Sequence, residues 1–308
     1  LPTPRRLSKT DAKKQRLLRR RLLLASLVLL ALTLGLWLSG CAPDSTDPSG
    51  KLIVGIVSYD TGSIIDKYER FREYLAGQTR AIVELEPAFN ELAAVEQIQR
   101  QAWSMVFASP GLAAIAIGSQ QYVPLFTIQG INNLRSVIVV RDESQIQTLG
   151  DLANQTVALG EPGSAAGYYL PLYDLYGLTL AEVRLAPTPK TILEWLDEGA
   201  IAAGALSEDD FQNLRNQFRD TKFRVLHTSR PIPSGAVLLA PTVERNQQQQ
   251  IETAMQQAPS NIIGDSGYIP NVPLPDYSQL IELVEKIQPI ESRIRDKPAV
   301  LTVEGIRG

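Results

Sequence analysis

Hydrophobic and polar positions change period twice along the chain. Residues 22–38 form a nearly unbroken apolar run, interrupted only by Ser26, Thr33 and Gly35. From residue 51 the pattern becomes an alternation of short apolar runs with stretches of helical spacing. Leu52, Ile53, Val54, Ile56 and Val57 are β-branched-rich and predict a buried strand over 52–57. Apolar or aromatic residues at 64, 65, 68, 71, 74 and 75 predict a helix over 64–75. Strands are predicted at 81–85, 104–108, 123–128 and 137–140. Between them, Asn90 caps a helix through Gln101, and Pro110 opens one through Ile117.

The alternation then restarts. Strands are predicted at 156–159, 183–185, 201–206, 223–226 and 236–239. One helix follows a glycine-rich turn and runs to about Tyr176, where Gly177 stops it. Another opens at Thr188-Pro189 and runs to Glu198, and a third, capped by Ser207, runs to about Phe218. The last two helices cover 243–257 and 278–287. Repeated strand–helix alternation predicts an α/β fold with mostly parallel or mixed sheets flanked by helices. The proline- and glycine-rich segment 231–235 marks a return between two such units. Ligands in these sheets sit at the carboxyl ends of strands, and two lobes add a cleft between them.

Charge changes the picture of the ends. The chain has 308 residues, 30 Lys+Arg and 33 Asp+Glu, for a net charge of −3. Nine basic residues and one acid lie in 1–40, which leaves 21 basic and 32 acidic side chains, a net −11, for the rest. A basic cluster, an apolar run and small residues before Cys41 read as an export signal over 1–40. Leu38-Ser39-Gly40-Cys41 resembles the bacterial lipoprotein signal, in which the cysteine is lipidated; an uncleaved signal anchor is the competing reading. Residues 41–50 then form a lipidated N-terminus and flexible linker, and the body lies outside the cytoplasmic membrane, in the periplasm or at the cell surface. One Cys and one His exclude an internal disulfide and a Cys/His zinc site. The acidic body argues against nucleic acid as a partner.

The sharpest chemical feature is Gly160-Glu161-Pro162-Gly163-Ser164-Ala165-Ala166-Gly167, between a strand and a helix. Its small residues let a ligand reach the N–H groups of a helix start, where an anion or carbonyl oxygen is favoured. An ordinary tight turn with Ser164 as N-cap explains the same residues. The glycine spacing fits neither a dinucleotide fingerprint nor a nucleophile elbow. Three more strand ends carry polar residues suited to a small solute: Ser58-Tyr59-Asp60-Thr61, Phe107-Ala108-Ser109 and Ser207-Glu208. Each also reads as a cap or turn. Glu208-Asp209-Asp210 reads as the acidic first turn of a helix. His227 reads as a structural histidine satisfied by backbone, and Trp103 and Trp195 as core.

In this order the features resemble the solute-binding proteins of ABC importers. Residues 136–144, Thr148-Leu149-Gly150-Asp151-Leu152, the Ser164 turn, Tyr168-Tyr169-Leu170-Pro171 and Ile232-Pro233 are similar to the phosphate/phosphite/phosphonate-binding branch. The resemblance implies a two-lobed, type II periplasmic-binding-protein-like fold. One lobe is formed by 51–134 and 236–308 and the other by 135–235, with crossings near 134–136 and 229–235. It also implies an ABC permease and ATPase as partners and a small-molecule solute as ligand. The contacts expected from the strand-end residues are Tyr59, Thr61 and Ser109 from one lobe, and Ser164 with the N–H groups of Ala165, Ala166 and Gly167 from the other. No catalytic residue, metal or cofactor is implied, and the protein is expected to be a monomer on its lipid anchor.

Several family positions differ. The family turn reads Ser-Thr-Ser-Gly, but Ser164-Ala165-Ala166-Gly167 keeps one hydroxyl. Acids, an aromatic hydroxyl and a histidine expected of the family fall at Ser104, Ala202, Ala113 and Pro189. Two further readings therefore stand beside import: a sensor or scaffold with a degenerate cleft, and a hydrolase using Ser164 and His227.

Overall fold

The computed structural model describes residues 50–57, 63–130 and 134–302, within one compact unit, Pro48–Gly308. The export signal, Cys41, Tyr59 and Thr61 lie outside the described residues.

Two mixed sheets organise the body. The first has the order β12-β4-β11-β3-β1-β2. Its strands are β1 (Lys51–Val57), β2 (Ile82–Ala88), β3 (Met105–Ala108), β4 (Val123–Ile128), β11 (Ala236–Leu239) and β12 (Tyr268–Ile269). The second has the order β10-β5-β9-β6-β8. Its strands are β5 (Ser136–Arg141), β6 (Thr156–Leu159), β8 (Glu182–Leu185), β9 (Ala203–Ser207) and β10 (Phe223–Thr228). Parallel pairing holds where a helix connects the strands, as between β1 and both β2 and β3, and between β6 and both β8 and β9. Strands at the chain's passages between sheets pair antiparallel: β11 with β3 and β4, and β5 with β9 and β10. Pro87 is tolerated within β2 because that strand is the sheet edge.

The central strands are almost wholly apolar because both faces are covered. Side chains alternate across a strand, and β5 shows it directly. Val137 and Val139 join one apolar cluster, with Ala158, Ile192, Leu193, Leu196, Leu206 and Phe211. Ile138 and Val140 face the other way, into the larger cluster with Val157, Leu159, Ala203 and Ala205. That larger cluster continues into the first sheet, where Tyr68, Phe71, Phe107, Phe126 and Tyr268 meet largely edge to face. Trp103 is fully buried, and Trp195 is half-buried against the second cluster.

Helices fill the faces: α1 (Ser63–Thr79), α2 (Glu91–Gln99) and α3 (Pro110–Gln120) follow the first strands. Later come α4 (Leu170–Asp174), α5 (Pro189–Asp197), α6 (Glu208–Leu214), α7 (Arg245–Gln256), α8 (Ser260–Ser266) and α9 (Ser278–Glu291). Two short strands, β7 (Thr179–Leu180) and β13 (Ala299–Val300), pair antiparallel. The passages between sheets run side by side. Arg135 Nη1 donates to Ser229 O at 2.6 Å, Ser136 N–H to Ser229 Oγ at 2.9 Å, and Ile232 N–H to Leu134 O at 2.8 Å.

Three sequence expectations need correcting. The helix after the glycine-rich turn does not run as one α-helix to Tyr176. It opens as a π turn, Ala165–Tyr169, and α4 ends at Asp174. Pro171 has no N–H with which to close an α-helical bond on Gly167, whose carbonyl instead accepts from Gly160 N–H at 2.8 Å. Tyr169 N–H reaches back five residues to Ser164 O. The second concerns the last strand of the segment 236–308, expected in the first lobe: Ala299–Val300 pairs with Thr179–Leu180, beyond the first sheet. The third concerns His227, whose Nε2 lies 3.0 Å from Asp174 Oδ2 and so is partnered by a carboxylate, not by backbone.

Candidate functional site

The site is built from helix starts. Ser109 caps α3 with extended backbone (φ −61°, ψ 163°) and Pro110 follows in the first turn, so the chain turns sharply out of β3 into the helix. The Ser109 side chain makes no capping bond, and its Oγ is buried without a hydrogen-bond partner. From the second sheet, β6 leads into the Gly160 to Gly167 turn. Gly163 adopts φ 107°, which a side chain would strain. Ser164 caps the π turn, its Oγ accepting from Gly167 N–H at 2.9 Å, which leaves the hydroxyl hydrogen to donate. Gly167 N–H is therefore committed to the cap. The N–H groups of Ala165 and Ala166 precede the first bonds of the turn and lack intrahelical acceptors.

These residues meet. Ser109, Ser164, Ala165, Ala166 and Gly167 all line one cavity of about 200 Å³. An adjoining cavity of about 480 Å³ shares Glu91, Ser109, Pro110 and Leu134 with it and reaches Ile56, Val57 and Phe107, at the carboxyl ends of β1 and β3. Val57 is the last described residue before Tyr59 and Thr61. The walls touch beside the smaller cavity: a Cβ on Gly111 would lie 2.1 Å from Gly163 O and 2.6 Å from Ala165 N.

Sequence reasoning missed most of the cavity's charge. Among the described residues, Glu91, Glu161 and Asp210 line it together with Thr188, Pro189 and Ser207, and no Lys, Arg or His does. Glu91 is 9% exposed. Glu161 accepts a hydrogen bond from Leu92 N–H at the start of α2, while its Oε2 is buried without a partner. Burial raises the Glu161 carboxyl above its ordinary value, against the lowering by Leu92 N–H. Burial raises Asp210 too, against a hydrogen bond donated by Ser207 Oγ at 2.5 Å. The signal for Asp210 was present in its position three residues after a capping serine. That for Glu161 was its place inside the glycine-rich turn.

The other positions compared with the family lie elsewhere. Ser104 Oγ accepts from Ile53 N–H at 3.2 Å, Ala113 is buried within α3, and Ala202 N–H bonds Thr156 O; none lines the cavity. His227 and its partner Asp174 do not line it either, so Ser164 and His227 do not meet there. Among the described residues no group of three or more His, Cys, Asp or Glu is arranged to hold a metal ion.

Among solved structures the fold is similar to XAC2383 from Xanthomonas citri bound to ATP (TM-score 0.64, 19% identity, 78% of this chain and 98% of that one). It is also similar to PhnD1 from Prochlorococcus marinus in complex with methylphosphonate (TM-score 0.58, 18% identity, 78% of this chain and 99% of that one). A third similar structure is a binding protein component of an ABC phosphonate transporter from Pseudomonas aeruginosa (TM-score 0.58, 14% identity, 80% and 89% covered). Comparison with curated protein sequences returns no match. A family model described as ABC transporter, phosphonate, periplasmic substrate-binding protein matches residues 54–278. That match spans most of the body and both sheets, and the chain belongs to this family of periplasmic substrate-binding proteins of ABC transporters.

Proposed function

We propose that this protein is a lipid-anchored, monomeric solute receptor that hands a small phosphonate-, phosphite- or phosphate-like solute, or another small polar solute, to an ABC permease and its ATPase. The observation that carries the reading is the meeting of Ser109, from the first sheet, with Ser164, Ala165 and Ala166, from the second, on one cavity. Solute there is held by hydroxyls and by the N–H groups of two helix starts, with no bond made or broken. Tyr59 and Thr61, which follow β1 in the sequence, add contacts. Binding favours closure of the lobes only in so far as the closed form binds more tightly.

Calorimetry and thermal shift against phosphate, phosphite, methylphosphonate and 2-aminoethylphosphonate test it. Saturable binding to at least one supports the phosphorus reading, and no response to any of them overturns it. Ser164→Ala is expected to weaken binding about tenfold, the worth of one lost hydrogen bond of roughly 1–1.5 kcal/mol. Anchoring through Cys41 is tested by metabolic labelling with a radioactive fatty acid, which Cys41→Ser should abolish. A sensor or scaffold with a degenerate cleft is the second reading. It is favoured by Ala165 and Ala166, which offer no hydroxyl, and by the direct contact of Gly111 with the turn.

A further inference from the structure

A further cavity, of about 590 Å³, is walled by other residues of the elements that build the cleft. On α2, Glu91 lines the cleft and Leu92 and Val95 line this cavity; on α3, Pro110 lines the one and Ala114 and Ile115 the other. The turn after β6 divides in the same way, with Ser164 on the cleft and Tyr168 and Tyr169 here. α9 and the residues just after it close the cavity and take no part in the cleft. Among the described residues, the cavity shares no lining residue with either cleft cavity. Small-molecule sites span about 300–1,000 Å³ and set a few placed polar groups in an apolar lining. This cavity has that size and that make-up.

Its chemistry follows from the lining. Leu92, Val95, Ile115, Ile281 and Ile294 supply apolar surface. Among the described residues that line it, three carboxylates, Glu96, Glu285 and Glu291, stand against one base, Arg295. Glu96 and Glu285 are exposed, and Glu96 has Arg100 at 3.7 Å as a partner. Glu291 is different, because it is half-buried and accepts hydrogen bonds from Tyr168 and Tyr169. Both phenols are buried, so the carboxylate they hold is fixed in place. Their hydrogens are spent on Glu291, and the group they present to the cavity is therefore an acceptor. A carboxylate has about four lone-pair sites, of which the phenols use two. Burial holds the Glu291 carboxyl above its ordinary range, so a positive donor beside it is favoured and an anion is opposed.

We propose that this cavity is a second ligand site, separate from the cleft, and that it takes a small organic ammonium. The N–H groups of the head bond Glu291, and a hydrocarbon body covers the apolar surface of Leu92, Val95, Ile115, Ile281 and Ile294. The site needs no solute in the cleft and stands whatever the cleft binds. A molecule held there touches α2 and α3, which follow strands of the first sheet, and the π turn, which follows a strand of the second. Its binding is thereby linked to the packing of the same elements that wall the cleft, to the extent that it favours one arrangement of them over another.

Cyclohexylmethylamine, cyclohexylmethanol and cyclohexanecarboxylate share one carbon skeleton and differ in the charge of the head, so together they test the proposal. Calorimetry is run at neutral pH on the full chain in non-ionic detergent micelles, with the heats from empty micelles subtracted. The amine is expected to bind saturably and at least tenfold more tightly than the alcohol or the carboxylate. Glu291→Gln keeps an acceptor for the phenols and removes the charge, so it should shrink the ratio of amine to alcohol affinity severalfold, which a purely structural role would not do. Ser119→Trp and Gln288→Trp, at exposed lining positions on α3 and α9, should each fill the cavity and weaken the amine tenfold or more. Equal binding of the three probes, tighter binding of the carboxylate, or binding of none overturns the proposal. So does an amine affinity that is lost in Asp210→Asn and kept in both tryptophan variants, because that places the cation in the cleft. The order of the three probes on the wild-type chain is decisive even where a variant fails to fold.

Discussion

At the scale of single residues, the consequential positions are those where a side chain would meet backbone. Gly111 packs its Cα against the Gly163 carbonyl and the Ala165 nitrogen, both main-chain atoms that cannot swing aside. Gly111→Ala is expected to push α3 off the turn, costing about 1–3 kcal/mol, as overpacking does. Gly77 is a contrast, because it lies within α1 with no atom within 4 Å of an added Cβ. Gly77→Ala should stabilise by about 0.5–1 kcal/mol through helix propensity and a less free unfolded chain. Urea midpoints of the two variants should move in opposite directions, and a Gly111→Ala midpoint at or above wild type would mean the walls are not in contact. Ser109 and Ser164 were legible in the sequence because caps announce themselves: a hydroxyl before Pro110, and a hydroxyl before three small residues. Glu91 and Glu161 were not. What brings them into the cavity is the approach of α2 to a turn some seventy residues later, and no local period encodes that approach.

At the scale of elements, the central strands were read well because both their faces are covered and their apolar runs are continuous, as in β1, β5 and β11. Short pieces escaped. β7, β12 and β13 have two residues each, too few to show alternation, and α8 carries few apolar positions. The π turn escaped because its cause is a missing donor at Pro171, not a pattern. That turn is held from behind by α9. Tyr168 and Tyr169 donate hydrogen bonds to Glu291, whose carboxyl burial holds above the ordinary carboxylate range, against the lowering by the two phenols. The native state therefore binds the Glu291 proton more tightly than the unfolded chain does. This part of the stability is fully present below the unfolded value of about 4.3 and is lost as pH rises through the raised native value. Glu291→Gln keeps an acceptor for the phenols and removes the titration. Urea unfolding of both proteins from pH 4 to pH 8 should show wild type losing stability relative to Glu291→Gln across that window. A difference that is flat in pH would show that burial does not govern this carboxyl.

At the scale of the whole molecule, the two sheets are joined by more than the paired passages near Leu134 and Ser229. The chain end forms a third tie. α9 packs on α3, which follows a strand of the first sheet, and on α4 and the π turn, which follow a strand of the second, and the segment after it carries Ala299 and Leu301 into full burial. Leu301 N–H donates to Leu178 O at 3.0 Å, and Gly177 N–H to Leu301 O at 2.9 Å. Lys297 pairs with Glu182 at 2.8 Å and holds that carboxyl below its usual value, an exposed contact that adds little to stability. A strap fastened at both ends limits how far two lobes can part. Leu301→Ala should cost about 2–4 kcal/mol in unfolding, from lost burial and the cavity left behind. It should also free the lobes. If the strap favours the closed form, the variant populates more of the open form without solute, so affinity falls and binding compacts the molecule more than it does in wild type. Small-angle scattering with and without a bound solute, alongside calorimetry, reads both effects. Lower stability with unchanged affinity and unchanged compaction would mean that the strap fastens the fold and takes no part in closure.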